Sequence, residues 1–397
     1  MPDPVLPIGR RCWVNRGKLC SWTIIFAVLS LGAHSKEIKV SKSYLLMPIS
    51  NDAARNQTIS LSVDGKQVRQ VKAGLAEKKE DVDWWAFFDI SDYKGKTLVV
   101  NIQPMKTEVF ALITQSDQVP GEDKWGTEAK RPQFHFSQKV GWINDPNGMV
   151  YYKGEWHLYF QHNPIALPWG NMTWGHAVSK DLVSWKQLPN VFHHKSGDRM
   201  FSGGAVVDWK NTGGWKTGEN DVIVAAWTST GCGECIAYSN DKGRTFTEYE
   251  GNPVIKHKGR DPKPLWYAYG EKDTPLDDTA KTLGGHWIIA IYAEPEKQDR
   301  GVAFYTSTDL KKWTFQSHFS GFYECAELFT LPVDGKIAIR ILIDRPMMEI
   351  FANHGEQIAT LPYENDLNIE SVKAFCEGGD AKLLSLEVHE LNATWSK

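Results

Sequence analysis

Three short acidic motifs hold the residue types that could do chemistry in this chain. Asp145 lies in the segment WINDPNG, Asp261 in the segment RDP and Glu324 in the segment YEC. Two carboxyl groups in one site can hydrolyse a glycosidic bond, because one protonates the leaving oxygen while the other attacks or activates water. A third carboxylate can bind sugar hydroxyls and stabilise a positively charged transition state.

Each acidic motif also has a simpler interpretation. The string NDPNG around Asp145 is typical of a tight turn, because proline fixes φ and Asn-Gly favours turns. We expect it to form a stiff corner that holds the carboxylate, although a hairpin turn without chemistry would look the same. Arg260 and Asp261 could form a surface ion pair, and Glu324 could be an ordinary solvated residue.

A loose repeat predicts how the three motifs are brought together. The pattern Ser-x-Asp, a turn and an aromatic residue begins at Ser179, Ser239 and Ser307, each time between two β-prone runs. A hairpin that recurs at this period is typical of the blades of a β-propeller, in which the innermost strand of each blade lines a central pocket. Since the acidic motifs lie about one blade apart or more, three blades would each deliver one carboxylate.

The flanking segments predict two further β domains. Residues 36–118 contain short β-prone runs separated by Gly and Asp turns, which favour a sandwich-like domain. Residues 114–130 are polar and predict a linker. The propeller would then occupy residues 128–335, and residues 336–397 predict the antiparallel strands of a partial sandwich. The expected fold class is therefore all-β.

Residues 1–35 are typical of an export signal. Four basic residues precede an apolar stretch from Trp22 to Leu31, and Ala33-His34-Ser35 is a small-x-small cleavage sequence. The apolar stretch is too short for a permanent membrane anchor. We therefore expect a secreted or periplasmic protein without a stable membrane anchor. The alternative is an N-terminal extension that results from a misassigned start codon.

Charge and cysteine usage argue against two classes of partner. The formal net charge is −3, and removing the basic leader makes it more negative, which disfavours a nucleic acid. Cys232 and Cys235 have the C-x-x-C spacing of zinc and redox sites, but no second close pair accompanies them. A local disulfide or two thiols fits this spacing better than a metal.

Together the motifs resemble those of the family 32 glycoside hydrolases, the invertases, levanases and exo-inulinases. The resemblance rests on WINDPNG, RDP and the Glu324-Cys325 pair. Three further segments match as well: FQHNP at 160–164, WGNMTWGHAVS at 169–179 and FSG at 201–203. The resemblance is strong over residues 131–335, and it implies a five-bladed β-propeller followed by a C-terminal sandwich. Residues 36–118 would be an additional N-terminal domain.

The resemblance also implies an enzyme that releases terminal fructose from levan, inulin or sucrose by a retaining double displacement. Asp145 would be the nucleophile, and Glu324 would be the general acid and then the general base. Asp261 would hold fructose hydroxyls and stabilise the transition state. The positions that match the family's sugar-contacting residues are Asn144, Gln161, Trp169, Phe201, Ser202 and Arg260. Neither a metal nor an organic cofactor is needed.

The chain departs from the family between Glu324 and Asp344, which are only 20 positions apart. The family places most of a fourth blade, a fifth blade and the first sandwich strands in that interval. We therefore expect three blades plus the first strand of a fourth, in an internally shortened propeller. A recent deletion, or a sequence joined across missing material, would explain the gap. Two alternatives to an active enzyme stay open, a non-catalytic fructan-binding protein and an inactive truncated fragment.

Overall fold

The computed structural model is nearly all-β, which confirms the predicted fold class at that level. It describes residues 35–104, 107–133, 135–193, 199–270, 273–296, 298–326, 339–344, 347–352, 357–362, 385 and 387–388. The predicted leader, except Ser35, and most of the strands predicted after residue 362 lie outside the described residues. The helical segments are short: α1 (Val109–Leu112), α2 (Asp278–Leu283) and 3-10 helices at Lys79–Asp81, Ser91–Tyr93 and Glu122–Lys124.

Seven strands build the N-terminal part as two sheets that share one core. They are β1 (Ser35–Lys39), β2 (Tyr44–Ile49), β3 (Gln57–Val63), β4 (Lys66–Ala73), β5 (Trp84–Asp89), β6 (Thr97–Gln103) and β7 (Thr114–Ser116). One sheet has the antiparallel order β1-β6-β3-β4 and the other the order β5-β2-β7. Met47 of the second sheet and Ile59 and Leu98 of the first are fully buried in the common core. Every second residue of β3 is buried, as expected for a sheet with one solvated face.

The linker prediction for residues 114–130 is wrong in part. Thr114–Ser116 is strand β7, which pairs with β2, and Trp125 stacks on Phe87 with ring centroids 5.8 Å apart. The polar composition concealed the strand because β7 is a three-residue edge strand. Its pairing is decided by a partner far earlier in the chain.

Three four-stranded antiparallel sheets follow one another between residues 142 and 320. The first contains β8 (Trp142–Tyr152), β9 (Glu155–Asn163), β10 (Thr173–Ser179) and β11 (Trp185–Phe192). The second contains β12 (Met200–Asp208), β13 (Val222–Ser229), β14 (Gly233–Ser239) and β15 (Thr247–Glu248). The third contains β16 (Gly259–Ala268), β17 (Gly285–Ala293), β18 (Gly301–Ser307) and β19 (Thr314–Ser320). Strands pair in chain order within each sheet, and β12 contacts both β8 and β16. The first strands of the three sheets therefore lie side by side.

Apolar side chains fill the spaces between these sheets. Tyr159 and Trp174 of the first sheet share a core with Trp227 of the second. Ile236 of the second sheet shares another with Trp287 of the third. Burying one large apolar side chain contributes about 1.5–3 kcal/mol, so these cores hold the first strands in fixed relative positions.

The Ser-x-Asp repeat forms the turn between the third and fourth strands of each sheet. The serine hydroxyl donates to the aspartate at 2.9 Å in Ser179–Asp181, 2.7 Å in Ser239–Asp241 and 3.2 Å in Ser307–Asp309. Each aspartate also accepts two backbone N–H groups of the turn. The residue after each aspartate has a left-handed backbone, with φ of 65°, 61° and 62°. The repeat is therefore one structural device used three times.

The segment after the third sheet is described only in part. Residues 321–326, which include Glu324, form no strand, and residues 327–338, where the first strand of a fourth blade could follow, lie outside the described residues. Beyond it, β20 (Ile339–Asp344), β21 (Met347–Ala352) and β22 (Gln357–Pro362) pair in chain order as an antiparallel sheet. These three strands occur where antiparallel strands were predicted.

Candidate active site

Asp145 lies near the start of β8, in a strand that bulges twice. The register between β8 and β9 shifts at two points within residues 143–150. The tight-turn prediction is therefore wrong, because Pro146, which lacks an N–H, and Gly148, with φ of 50°, are accommodated by bulges instead. A Cβ at Gly148 would lie 2.7 Å from the ring of Tyr159, so glycine allows the bulged strand to pack closely.

Two groups from other parts of the chain hold the Asp145 carboxylate. The Ser202 hydroxyl, on the first strand of the second sheet, donates to Asp145 Oδ2 at 2.6 Å. The Cys325 thiol donates to the same oxygen at 3.6 Å. The carboxylate is thus fixed from the second sheet and from the segment that follows the third.

Asp261 lies at a bulge near the start of β16, where the register with β17 shifts between Arg260 and Lys263. Its backbone is left-handed, with φ of 64°, a conformation that costs an ordinary residue about 1–2 kcal/mol. Its amide donates to Thr228 Oγ1 at 2.9 Å, and its Oδ2 accepts from the Cys325 amide at 3.3 Å. These contacts stabilise an otherwise unfavourable backbone.

Arg260 links Asp261 to Glu324. Its Nη2 donates to Glu324 Oε1, and its Nε lies 3.8 Å from Asp261 Oδ2. A third carboxylate, Glu294, lies 3.6 Å from Nη1. The Tyr292 ring stacks against the guanidinium at 4.6 Å, a favourable cation–π geometry. One cation therefore organises three carboxylates.

Burial and neighbouring charges raise the pKa values of Asp261 and Cys325. The pKa of Asp261 is raised to about 7, first because burial disfavours the charged form and further because Asp145 and Glu324 lie nearby. The Cys325 amide and Arg260 oppose this rise. Burial, together with the same acids, raises the pKa of the Cys325 thiol, so it keeps its proton and can donate it to Asp145. The three acids predicted from the sequence are therefore brought together.

The predicted substrate-binding residues Ser202 and Arg260 contact these acids directly, whereas Trp169 and Phe201 form an aromatic pair. Their rings pack edge to face with centroids 6.2 Å apart, and the Arg199 guanidinium lies 5.5 Å from the Trp169 ring. Trp169 is 46% exposed, so part of its ring is available to a ligand.

The remaining two predicted residues make contacts within the protein. Asn144 Oδ1 accepts from the Trp142 indole at 3.1 Å. Gln161 is buried, and its amide donates to the Met200 carbonyl at 2.9 Å. Because Met200 begins β12, Gln161 anchors the strand that carries Ser202.

Sequence reasoning missed Thr228, Glu294 and the two contacts made by Cys325. Cys325 was recognised as part of the Glu324-Cys325 pair, but the sequence did not predict its contacts with Asp145 and Asp261. Thr228 and Glu294 belong to no motif, and their contacts with the site come from folding alone.

In the described part of the chain, no group of three or more His, Cys, Asp or Glu residues could hold a metal ion. Cys235 is buried and Cys232 is partly buried. Among the same residues, no helix is both long enough and apolar enough to cross a membrane.

Known proteins resemble this chain over its central part. The model for the family "Glycosyl hydrolases family 32 N-terminal domain" matches residues 135–368. The chain is 42% identical over 254 residues to a levanase of Bacillus subtilis, covering 60% of this chain and 34% of that protein. It is 40% identical over 230 residues to an invertase of Wickerhamomyces anomalus, covering 53% and 39%. A solved fructofuranosidase of Schwanniomyces occidentalis, complexed with fructose, aligns over 60% of this chain and 49% of its own, with 32% identity and a TM-score of 0.46. The chain thus spans less than half the length of these relatives.

Proposed function

Because this chain belongs to glycosyl hydrolase family 32, we propose that it hydrolyses O-glycosyl bonds and releases terminal fructose from levan, inulin or sucrose. The observation that carries the proposal is the convergence of Asp145, Asp261 and Glu324 on one site, joined through Arg260 and Cys325. The names of the similar proteins, levanase and invertase, support this class of substrate.

In the first chemical step, Asp145 attacks the anomeric carbon of the terminal fructosyl unit while Glu324 gives its proton to the leaving oxygen. The bond between that carbon and the leaving oxygen breaks, and a covalent fructosyl ester of Asp145 forms. Ser202 holds the attacking carboxylate through its hydrogen bond at 2.6 Å, and Arg260 orients Glu324. Positioning of this kind lowers the activation free energy, because the reacting groups are already held in the geometry that the reaction requires.

In the second step, Glu324 accepts a proton from water, and the water oxygen attacks the anomeric carbon. The ester bond to Asp145 breaks, and fructose leaves with its original configuration. Both residues thereby return to their starting states.

Asp261 takes no part in bond making and instead binds fructose hydroxyls. Its carboxylate and that of Asp145 favour the positive charge that develops on the sugar ring in the transition state. Arg260 limits the mutual repulsion of the acids, since it contacts Asp261, Glu324 and Glu294.

Neutral polar groups and aromatic rings complete the sugar site. The proposed substrate-binding residues are Asn144, Gln161, Trp169, Phe201, Ser202 and Arg260. Amide and hydroxyl groups suit the uncharged hydroxyls of a sugar, and the exposed face of Trp169 suits its apolar edge. This chemistry requires no metal or organic cofactor.

In the same way we propose that the three four-stranded sheets are blades of a five-bladed type of β-propeller that is incomplete, within residues 128–335. The sheet β20–β22 would belong to a partial C-terminal sandwich at 336–397, and residues 36–118 would be a separate N-terminal domain. Residues 1–35 would direct the protein to the periplasm or outside the cell.

A second candidate function is that of a fructan-binding protein or an inactive fragment. It is favoured by the short interval between Glu324 and Asp344, which are only 20 positions apart. Phe315 and Phe319 on the edge strand β19 are also more than half exposed. Among the described strands β19 pairs with β18 alone, and an exposed apolar edge strand is a site of aggregation.

The proposed function is tested by measuring free fructose released from levan, inulin and sucrose by the full chain. Asp145→Asn and Glu324→Gln should abolish release while sparing sugar binding, because each removes one of the two groups that act on the bond. Asp117→Asn is the matched control, since this exposed carboxylate pairs with Lys42 in the N-terminal part. It should leave release unchanged.

Three outcomes separate the candidates. Release that is lost in Asp145→Asn and kept in Asp117→Asn supports the hydrolase. A soluble, cooperatively folding chain that binds fructan without releasing fructose supports the binding protein. An aggregating chain without release supports the fragment. Release that persists in Asp145→Asn would contradict the assignment of the nucleophile.

A further inference from the structure

A buried carboxylate that the proposed reaction does not use is connected to the backbone of Asp261 through one hydroxyl group. Glu234, on β14, is 1% exposed. Burying a carboxylate is costly unless charge or hydrogen-bond partners compensate it. Both of its oxygens have such partners, so the residue is part of a built arrangement.

One oxygen of Glu234 connects to the backbone of Asp261 through a single hydroxyl. Thr228 is the cross-strand partner of Glu234, and its Oγ1 donates to Glu234 Oε2 at 2.8 Å. The same Oγ1 accepts the Asp261 amide at 2.9 Å. Because a hydroxyl has one proton, donating it to Glu234 leaves the lone pairs of Oγ1 directed at Asp261.

The other oxygen of Glu234 contacts the segment that leads into Asp261. His257 Nε2 lies 2.7 Å from Glu234 Oε1, and His257 stands two residues before β16. The backbone of Glu234 is also tied to this segment, since its amide donates to the Ile255 carbonyl at 2.9 Å. Burial raises the pKa of the nearby Tyr305 hydroxyl, and the charge of Glu234 adds to that rise. The carboxylate thus connects the second sheet to the third at the position of the acidic motif.

The Asp261 amide needs a partner outside the sheet. The register of β16 shifts at this residue, and the following residue is Pro262, which lacks an N–H. Asp261 has a left-handed φ of 64°, which is unfavourable for a residue other than glycine, so contacts with the rest of the fold must maintain this conformation. A small rotation of the Asp261 peptide would move the carboxylate away from Arg260 and the Cys325 amide.

We propose that Thr228, Glu234 and His257 form a positioning relay that fixes the backbone, and through it the carboxylate, of Asp261. This inference deepens the proposed function and rests on it for its kinetic consequences. None of the three residues touches the reacting atoms, so each acts through Asp261. Through these hydrogen bonds, the buried Glu234 carboxylate fixes the orientation of Asp261, the residue proposed to bind the sugar.

The test replaces the Thr228 hydroxyl with a methyl group and keeps the shape of the side chain. Thr228→Val should lower kcat for fructose release about 10- to 100-fold, because small misplacement of a positioned group has effects of this size. Thr228→Ser keeps the hydroxyl and should restore kcat. Glu234→Leu, which leaves Thr228 without its acceptor, should resemble Thr228→Val. If Thr228→Val does not fold, Thr228→Ala removes the same hydroxyl without branching and replaces it.

A second measurement reports on Asp261 without relying on turnover. The side-chain carboxyl carbon of 13C-labelled aspartate is followed by NMR against pH, and the Asp261 signal is identified by its loss in Asp261→Asn. Thr228→Val should shift this titration, and Thr228→Ser should not. Asp208→Asn is the matched control, because Asp208 is a buried, hydrogen-bonded carboxylate of the second sheet with no link to Asp261. It should change stability and leave both the titration and kcat as in the wild type.

The outcomes keep the relay and the proposed function apart. A wild-type chain that releases no fructose refutes the hydrolase alone, and the Asp261 titration in Thr228→Val then decides the relay. If folded Thr228→Val keeps both the wild-type titration and, in an active protein, the wild-type kcat, the three residues are only structural and the relay is overturned.

Discussion

Replacing Asp261 with asparagine should stabilise the fold at neutral and alkaline pH while it abolishes sugar turnover. Asp261 is 5% exposed, and burial is the main reason that its pKa rises. The rise from 3.8 to about 7 corresponds to about 4 kcal/mol, since each pKa unit is worth about 1.36 kcal/mol. The attraction to Arg260 opposes the rise and is already included in it, so this figure is the net cost of the charged form. The asparagine side-chain oxygen can still accept from the Cys325 amide.

The sign of the pH dependence follows from proton uptake. Below the unfolded pKa of 3.8, Asp261 is neutral in both states and costs nothing. As the pH rises towards about 7, the unfolded chain ionises first, and the folded state must either keep a proton or bury a charge. The wild type therefore loses stability across this window and loses no more above it. The neutral asparagine side chain would carry no such cost, so the variant's advantage should grow between about pH 4 and about pH 8.

The assay is urea unfolding of the full chain at about pH 4 and at about pH 8, the two ends of this window, monitored by tryptophan fluorescence. The free energy of unfolding of the wild type is subtracted from that of Asp261→Asn, so other titrating groups cancel. Asp208→Asn is the control: its carboxylate accepts three hydrogen bonds from Thr212 and Gly213, so this change should destabilise the fold. A difference for Asp261→Asn that is the same at both pH values, or negative at the higher one, would refute the burial argument.

Two further predictions concern neighbouring groups. Ser202→Ala removes the donor 2.6 Å from Asp145 Oδ2 and should lower kcat about tenfold, since a hydrogen bond to a charged group contributes about 1.5–3 kcal/mol; steady-state kinetics with an unchanged kcat would contradict this. In the first sheet, His157 Nδ1 lies 3.1 Å from His176 Nε2. Burial lowers the pKa of His157 from 6.5 to about 4 and that of His176 from 6.5 to about 2. The folded state binds fewer protons there, so stability should fall as the pH drops below 6.5. His176→Gln should reduce that decline in unfolding experiments at about pH 7 and about pH 5, and an equally steep decline would count against this.

Local sequence patterns predicted what local chemistry decides. The turn built on Ser179 and Asp181 follows from side chains that bond to the backbone two or three residues away, so its repeat was visible in the sequence. Strand β4 could not be predicted in this way, because its polar run, KQVRQVKA, has little alternation. The turn expected around Asp145 failed for a related reason. Proline and Asn-Gly favour a break in strand geometry, but the neighbouring strand β9 decides whether the break is a turn or a bulge.

The acids themselves were found by motif, whereas their connections were not. Cys325 lies 180 positions from Asp145, and Thr228 lies 33 positions from Asp261. Such contacts depend on how three sheets pack, and no local pattern encodes them. Glu234 illustrates the point, because its C-x-x-C surroundings drew attention to the cysteines, whereas Glu234, one of the two residues between them, is the buried carboxylate.

The three acids differ in how many contacts fix them, so the proposed activity should not be equally sensitive to changes around each acid. Asp261 is enclosed and bonded through both its backbone and its side chain, and Asp145 is fixed by Ser202 and Cys325. Glu324 is 35% exposed and lies in an irregular segment, where Arg260 is its charged partner. A general acid must meet the leaving oxygen within hydrogen-bond reach, so its placement matters as much as that of the nucleophile. Under the proposed mechanism, the geometry of Arg260 would therefore determine whether Asp145 and Glu324 can act together on one bond.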